Sequence, residues 1–123
     1  MIRDFTYIDD LVEAIFRISL KPPFRDSLDQ ALRYRPHESW CGFRILNIGS
    51  AREVPLLEYL ETLETCLGVK AEKVFLPMQD GDVKKTKADL TSLKELIEYT
   101  PGTSIKDGVS KFVSWYKGYY NIL

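Results

Sequence analysis

The chain has 123 residues, enough for one small domain that buries roughly two thirds of the surface its unfolded form exposes. Hydrophobic residues make up 45% and charged residues 28%, which excludes a disordered chain. Its 17 basic and 18 acidic side chains leave a net charge of −1, so no general attraction to nucleic acid or anionic membrane follows.

No apolar run approaches the ~20 residues of a membrane helix. Met1 to Asp10 carry neither a basic leader nor an apolar stretch, which argues against a signal peptide. Cys41 and Cys66 are the only cysteines, too few for a disulfide scaffold; they favour a reducing, cytoplasmic setting.

Phe5, Tyr7 and Ile8 are strand formers and predict an extended start. Leu11, Val12, Ala14, Ile15 and Ile18 then fall at helical spacing, with Asp9 or Asp10 as the expected cap and Pro22–Pro23 as the stop. Residues 24–41 keep no period and read as a surface loop, with at most one helical turn near Leu28–Leu32. Phe43 to Ile48, closed by Gly49, predicts a buried strand. Ser50 to Val54 is a turn into a helix with Leu56, Leu60, Leu63 and Leu67 on one face, Glu58, Glu61 and Glu64 outside, and Gly68 as C-cap. Lys73 to Leu76 predicts a second short strand, and Gln79 to Asp82 a turn carrying Gly81. Leu90, Leu93, Leu96 and Ile97 mark a third helix, ended by Pro101 and Gly102. Ser104 and Asp107 resemble a capping box, opening a last helix along Ile105, Val109, Phe112, Val113 and Tyr116. These elements predict an α+β unit of helices packed on a minimal sheet, without repeat or second domain.

Several kinds of catalytic equipment are missing from the sequence. The seven glycines never adopt a dinucleotide-binding spacing, and no phosphate loop, Tyr-x-x-x-Lys pair, C-x-x-C or G-x-S-x-G is present. His37 is the only histidine, which excludes a two-histidine zinc site, and no metal site is expected; it reads as a solvated loop residue. Cys41 and Cys66 read as small core residues. Asp9 and Asp10 are adjacent and read as caps, not as a carboxylate dyad. Trp115, Tyr116, Tyr119 and Tyr120 read as the apolar face of the last helix, not as a base-stacking platform.

Three segments taken together carry a resemblance. Arg3-Asp4-Phe5-Thr6-Tyr7-Ile8-Asp9-Asp10-Leu11 resembles the arginine-led strand and helix start of extended short-chain dehydrogenases acting on nucleotide sugars. Leu46-Asn47-Ile48-Gly49 before a leucine-rich helix, and Leu76-Pro77-Met78-Gln79-Asp80-Gly81-Asp82-Val83 before Ala88-Asp89, are similar to later segments of the same family. So is Gly102 to Val109 running into Phe112 and Trp115-Tyr116. Order and spacing agree over nearly the whole chain, apart from residues 24–41. The Leu-Pro-Met-Gln form of the second loop is most similar to UDP-glucuronate 4-epimerases.

The resemblance implies a fold: residues 1–123 would be the C-terminal substrate-binding subdomain of a Rossmann-type α/β enzyme, with the NAD-binding Rossmann domain absent from the chain. It implies a parent enzyme that oxidises and reduces C4 of a UDP-sugar, UDP-glucuronate first among them, with NAD as cofactor and polysaccharide synthesis as its setting. It implies that Arg3 contacts the substrate diphosphate, that Phe5 packs near the nucleotide, that Asp82 binds ribose hydroxyls, and that Gln79 stands where some relatives place a second phosphate arginine. Asp80 departs from the usual proline and adds negative charge near a dianionic ligand. On residue grounds alone Arg3 also reads as a surface ion-pair residue, and Asp82 as a turn residue bonding its own backbone.

For this chain by itself the expectation is no catalytic residue, no NAD bound and no turnover. Its partners are a UDP-sugar and the absent Rossmann domain, with self-association through exposed apolar surface. A free-standing non-catalytic binding domain, or part of a related dehydratase or decarboxylase, remain the alternatives.

Overall fold

Two residues are all that strand β1 (Ile2–Arg3) contributes to a ladder, yet they organise the first half of the molecule. In the computed structural model, which describes residues 1–23, 38–39 and 42–122, β1 pairs antiparallel with β4 (Val54–Pro55), placing Ile2 opposite Pro55 and Arg3 opposite Val54. On its other side Ile2 donates its N–H to Lys84 O at 3.0 Å and accepts from Thr86 N–H at 3.2 Å. β1 is therefore held between the start of one helix and the segment after residue 82. A second antiparallel pair joins β2 (Glu38–Ser39) to β3 (Phe43–Arg44).

Four helices complete the described elements: α1 (Ile8–Ser19), α2 (Leu56–Leu67), α3 (Thr91–Ile97) and α4 (Ile105–Tyr120). This is the expected α+β arrangement, helices on a minimal sheet. Ala14 of α1 is buried with Leu90, Leu93 and Ile97, and Ile18, Ile48, Ala51, Ala88, Leu96 and Tyr99 pack around them. α2 packs along α4, which buries Val109 and Val113. Gly68 adopts φ 77° as the left-handed C-cap of α2, and its N–H donates to Glu64 O. Ser104 Oγ accepts from Asp107 N–H at 3.1 Å and so caps α4 as expected, while the Asp107 carboxylate accepts from the Ser104 hydroxyl at 2.6 Å, where a full capping box would use the Ser104 backbone N–H.

Several local expectations fail, for traceable reasons. The run from Phe43 to Ile48 yields only β3, with Phe43 and Ile45 exposed, because the sheet has no interior position to offer it. Lys73 to Leu76 forms no strand and Val74, Phe75 and Leu76 are exposed; strand propensity needs a neighbouring ladder, and among the described residues none lies beside it. α3 stops at Glu98, in the left-handed region at φ 50°, before Pro101 and Gly102 are reached. Trp115 and Tyr119 do not enter the core: they stack on each other at 5.4 Å, and Tyr116 packs on Tyr120 at 4.7 Å. Glu64 is buried, not outside.

Asp9 and Asp10 do not cap α1. Tyr7 is the N-cap residue and its side chain makes no capping bond, which leaves both aspartates inside the first turn, where a carboxylate still meets the positive end of the helix. Asp10 instead accepts from Thr103 N–H and Oγ1–H, both at 2.9 Å, from Gly102 N–H at 3.1 Å and from the Tyr99 hydroxyl at 3.3 Å. It ties α1 to the turn before α4. His37 and Cys41 lie outside the described residues; Cys66 is half-buried and free.

Candidate functional site

Arg3 ends β1 and Asp82 ends the Gln79–Asp82 turn, and they meet although 79 positions separate them. Arg3 Nη2 donates to Asp82 Oδ1 at 2.7 Å, with side chains 23% and 34% exposed. Arg3 Nη1 donates to Ile2 O at 3.0 Å, and the sulfur of Met1 lies 3.3 Å from Nη2. Gly81 takes φ 86°, and Asp82 N–H donates to Gln79 O at 3.2 Å, so the turn closes and sets the Asp82 side chain toward β1. Gln79 shares this turn and is exposed, as is Asp80.

Phe5 is placed differently. Its ring stacks on Tyr59 of α2 at 4.4 Å and 12°. Phe5 and Tyr59 also line an apolar cavity of about 250 Å³ with Tyr7, Ile105, Val109 and Phe112. Arg3, Gln79 and Asp82 do not line that cavity. The structure thus joins three of the four expected ligand residues and sets Phe5 in an adjoining apolar space.

Two structural residues went unrecognised in the sequence. Tyr59 was hidden among the leucines of α2. Asp4, between Arg3 and Phe5, accepts from Ser50 Oγ at 2.6 Å and Ser50 N–H at 2.8 Å through one oxygen, and from Ala88 N–H at 2.9 Å and Ala51 N–H at 3.1 Å through the other. Burial pushes its carboxyl upward, but the Ser50 hydroxyl and the three amides outweigh burial and hold it below the usual carboxylate range. Its own N–H donates to Thr86 Oγ1 at 3.2 Å. Gly49 is required beside it, since a Cβ there would stand 2.5 Å from Ala88 Cβ and 2.9 Å from Asp4 Oδ2. No local pattern signals such a cluster, because its donors lie 46 to 84 positions away.

The same cluster bears on cofactor binding. A dinucleotide cradle needs free amides at a turn leading into a helix. Gly49–Ala51, just before β4 and α2, is the nearest such turn, but the amides of Ser50 and Ala51 are already given to Asp4. This turn therefore does not fit NAD. Among the described residues, no three His, Cys, Asp or Glu side chains converge as a metal site, and no helix is long and apolar enough to cross a membrane.

No protein-family model matches the chain. It is 44% identical over 122 residues to an uncharacterized 37.6 kDa protein of Escherichia coli O111:H-, covering 99% of this chain and 36% of that protein. A probable UDP-glucuronate 4-epimerase of Rhizobium meliloti is 40% identical over 127 residues, 98% of this chain and 36% of the relative. Among solved structures, UDP-glucuronic acid 4-epimerase from Bacillus cereus in complex with UDP-glucuronic acid and NAD superposes with a TM-score of 0.71 at 28% identity, covering 97% of this chain and 33% of that one. The chain thus spans about a third of the length of the relatives it matches. In sequence and in fold it matches the C-terminal part of NAD-dependent UDP-sugar epimerases of the Rossmann type.

Proposed function

We propose that this chain is the nucleotide-sugar-binding part of a UDP-sugar 4-epimerase, with UDP-glucuronate as its substrate, and that Arg3 and Asp82 grip the UDP moiety. The observation that carries this reading is their 2.7 Å pairing, which sets a phosphate-type donor beside a hydroxyl-type acceptor on two separate segments. Arginine's planar fork gives paired, charge-assisted bonds to diphosphate oxygens. A carboxylate accepts from two neighbouring ribose hydroxyls. Without ligand each satisfies the other; on binding, the diphosphate replaces Asp82 at the guanidinium and the ribose takes up Asp82. Gln79, exposed on the same turn, supplies a neutral donor, and Phe5 offers an apolar wall to the nucleotide.

The redox chemistry at C4 belongs, in this reading, to NAD held by a Rossmann domain in the rest of a parent protein. Two observations support a division of labour. The chain spans about a third of its relatives, and the 49–51 turn has its amides filled by Asp4. An uncovered apolar stripe on α1, made of Ile8, Val12, Ile15 and Phe16, offers a surface for that domain.

Calorimetric titration of the chain with UDP-glucuronate tests the reading. The chain is expected to bind, and Arg3→Ala and Asp82→Ala are each expected to weaken binding about tenfold or more, the loss of one charged hydrogen bond. With UMP, which lacks the second phosphate, the Arg3→Ala effect should shrink while the Asp82→Ala effect stays. No binding by the unaltered chain, or affinity in both variants unchanged from that of the unaltered chain, overturns the proposal.

A further inference from the structure

The two residues of the proposed grip come from segments that share no helix and whose backbones are joined by a single bridge, Ile2 to Lys85, so something must fix the distance between them. We propose that Asp4 is the positioning residue of this site: its carboxylate locks the strand bearing Arg3 to the segment that continues from Asp82. This inference rests on the nucleotide-sugar reading above.

Four observations carry it. Asp4 directly follows Arg3 and directly precedes Phe5, so any shift of Asp4 moves both neighbours. Its Oδ2 accepts from Ala88 N–H and its N–H donates to Thr86 Oγ1, which fastens it to the chain four to six residues after Asp82. Its Oδ1 takes Ser50 N–H and Oγ–H, and Oδ2 also takes Ala51 N–H, which fastens it to the turn before β4. Gly49 lets Ala88 and Asp4 approach at a distance that leaves no room for a methyl group. Ile2 completes the clamp through its backbone bonds to Lys84 and Thr86. Segments 1–5, 49–51 and 84–88 thus meet at one carboxylate, and the Arg3–Asp82 spacing is set by that junction.

The geometry also defines the variant that breaks it. Each Asp4 oxygen accepts two donors. In Asp4→Asn one oxygen becomes an NH₂ group of the same size, so whichever way the amide turns, two donors lose an acceptor and face another donor. Ser50→Ala is the milder change: of the four bonds to Asp4 it removes only the 2.6 Å hydroxyl bond, together with the 3.1 Å bond that Ser50 Oγ accepts from Arg52 N–H.

The test reads the Arg3 guanidinium by ¹⁵N NMR in the ligand-free chain, together with UDP-glucuronate affinity and thermal melting. In the unaltered chain the Arg3 Nη signals should be those of a restrained guanidinium, and Asp82→Asn should return them to averaged, freely rotating values. Asp4→Asn should do the same in a protein that still melts cooperatively, and should weaken UDP-glucuronate at least tenfold; Ser50→Ala should weaken it several-fold. A role in stability alone would lower the melting temperature and leave both the Arg3 signals and the affinity unchanged, and that result overturns the proposal. If Asp4→Asn does not fold, Ser50→Ala decides by the same readouts. If the unaltered chain binds no UDP-glucuronate, the functional reading falls, while the Arg3 signals, measured without ligand, still decide whether Asp4 sets Arg3 against Asp82.

Discussion

In α2 a carboxylate sits inside the fold with three donors around it. Glu64 takes Lys73 at 2.8 Å, Lys70 at 2.9 Å and Ala71 N–H at 2.9 Å, closing the loop that follows Gly68. The Lys73 ammonium, then Lys70 and the Ala71 amide, outweigh burial and bring its pKa down to about 2. An unfolded glutamate titrates near 4.3. Because the folded value is the lower one, this contribution to stability is complete above about pH 5 and is lost as pH falls through 4 toward 2. Asp4, also lowered, acts in the same direction. The melting temperature should therefore drop between about pH 5 and 2, and more steeply than in Glu64→Gln, which has no proton to take up there. Equal slopes in a melting series across that range would refute the assignment. The pattern of Glu58, Glu61 and Glu64 on α2 reads as a solvated face, and it hid this residue because Lys70 and Lys73 lie beyond the helix end.

At the scale of elements, α4 depends on its first turn. Ser104 holds the Asp107 amide, and Gly108 lets the helix settle on Tyr7, whose ring would lie 3.1 Å from an added Cβ. Ser104→Ala removes the cap and should lower stability by about 1 kcal/mol, read as a shift in denaturation midpoint at unchanged slope. α1 carries a second lesson. Ala14 is buried, with Leu11 and Ile18 partly so, on the face toward α3, while Ile8, Val12, Ile15 and Phe16 form a second apolar stripe that faces outward. Arg17 strengthens the inner contact by lying over the Tyr99 ring at 4.7 Å, and Lys21 Nζ donates to Leu96 O at 2.7 Å. Helical periodicity identified α1 correctly but could not separate its two stripes, since both satisfy the same 3.6-residue repeat.

The whole molecule leaves much apolar surface uncovered. Besides the α1 stripe, Val74, Phe75 and Leu76 and the aromatic residues of the last two turns of α4 are exposed. Exposed apolar side chains in this number promote association. The chain is expected to self-associate with rising concentration, and replacing Val12 and Phe16 together by serine should shift sedimentation toward monomer without lowering the melting temperature. Unchanged sedimentation would place the contact elsewhere.

Much of this was legible in the chain itself. Apolar spacing located the four helices among the described residues, Gly68 and the Ser104–Asp107 pair marked two of their ends, and the motifs around Arg3 and Gln79–Asp82 pointed to the family that sequence and fold comparisons support. These are local signals, written within a few residues. The short strands were misjudged, because a two-residue ladder draws its stability from partners elsewhere in the chain and not from the propensity of Phe43–Ile48 or Lys73–Leu76. The carboxylates were misjudged for the same reason. Asp10 reads as a cap and Glu64 as a surface acid, Asp4 is not singled out at all, and only the tertiary structure decided which donors each one meets: amides at 50, 51 and 88 for Asp4, a turn at 102–103 for Asp10, and lysines at 70 and 73 for Glu64. A buried charge is set by whichever groups the fold brings within about 3 Å of it, and that distance is a property of the folded chain as a whole.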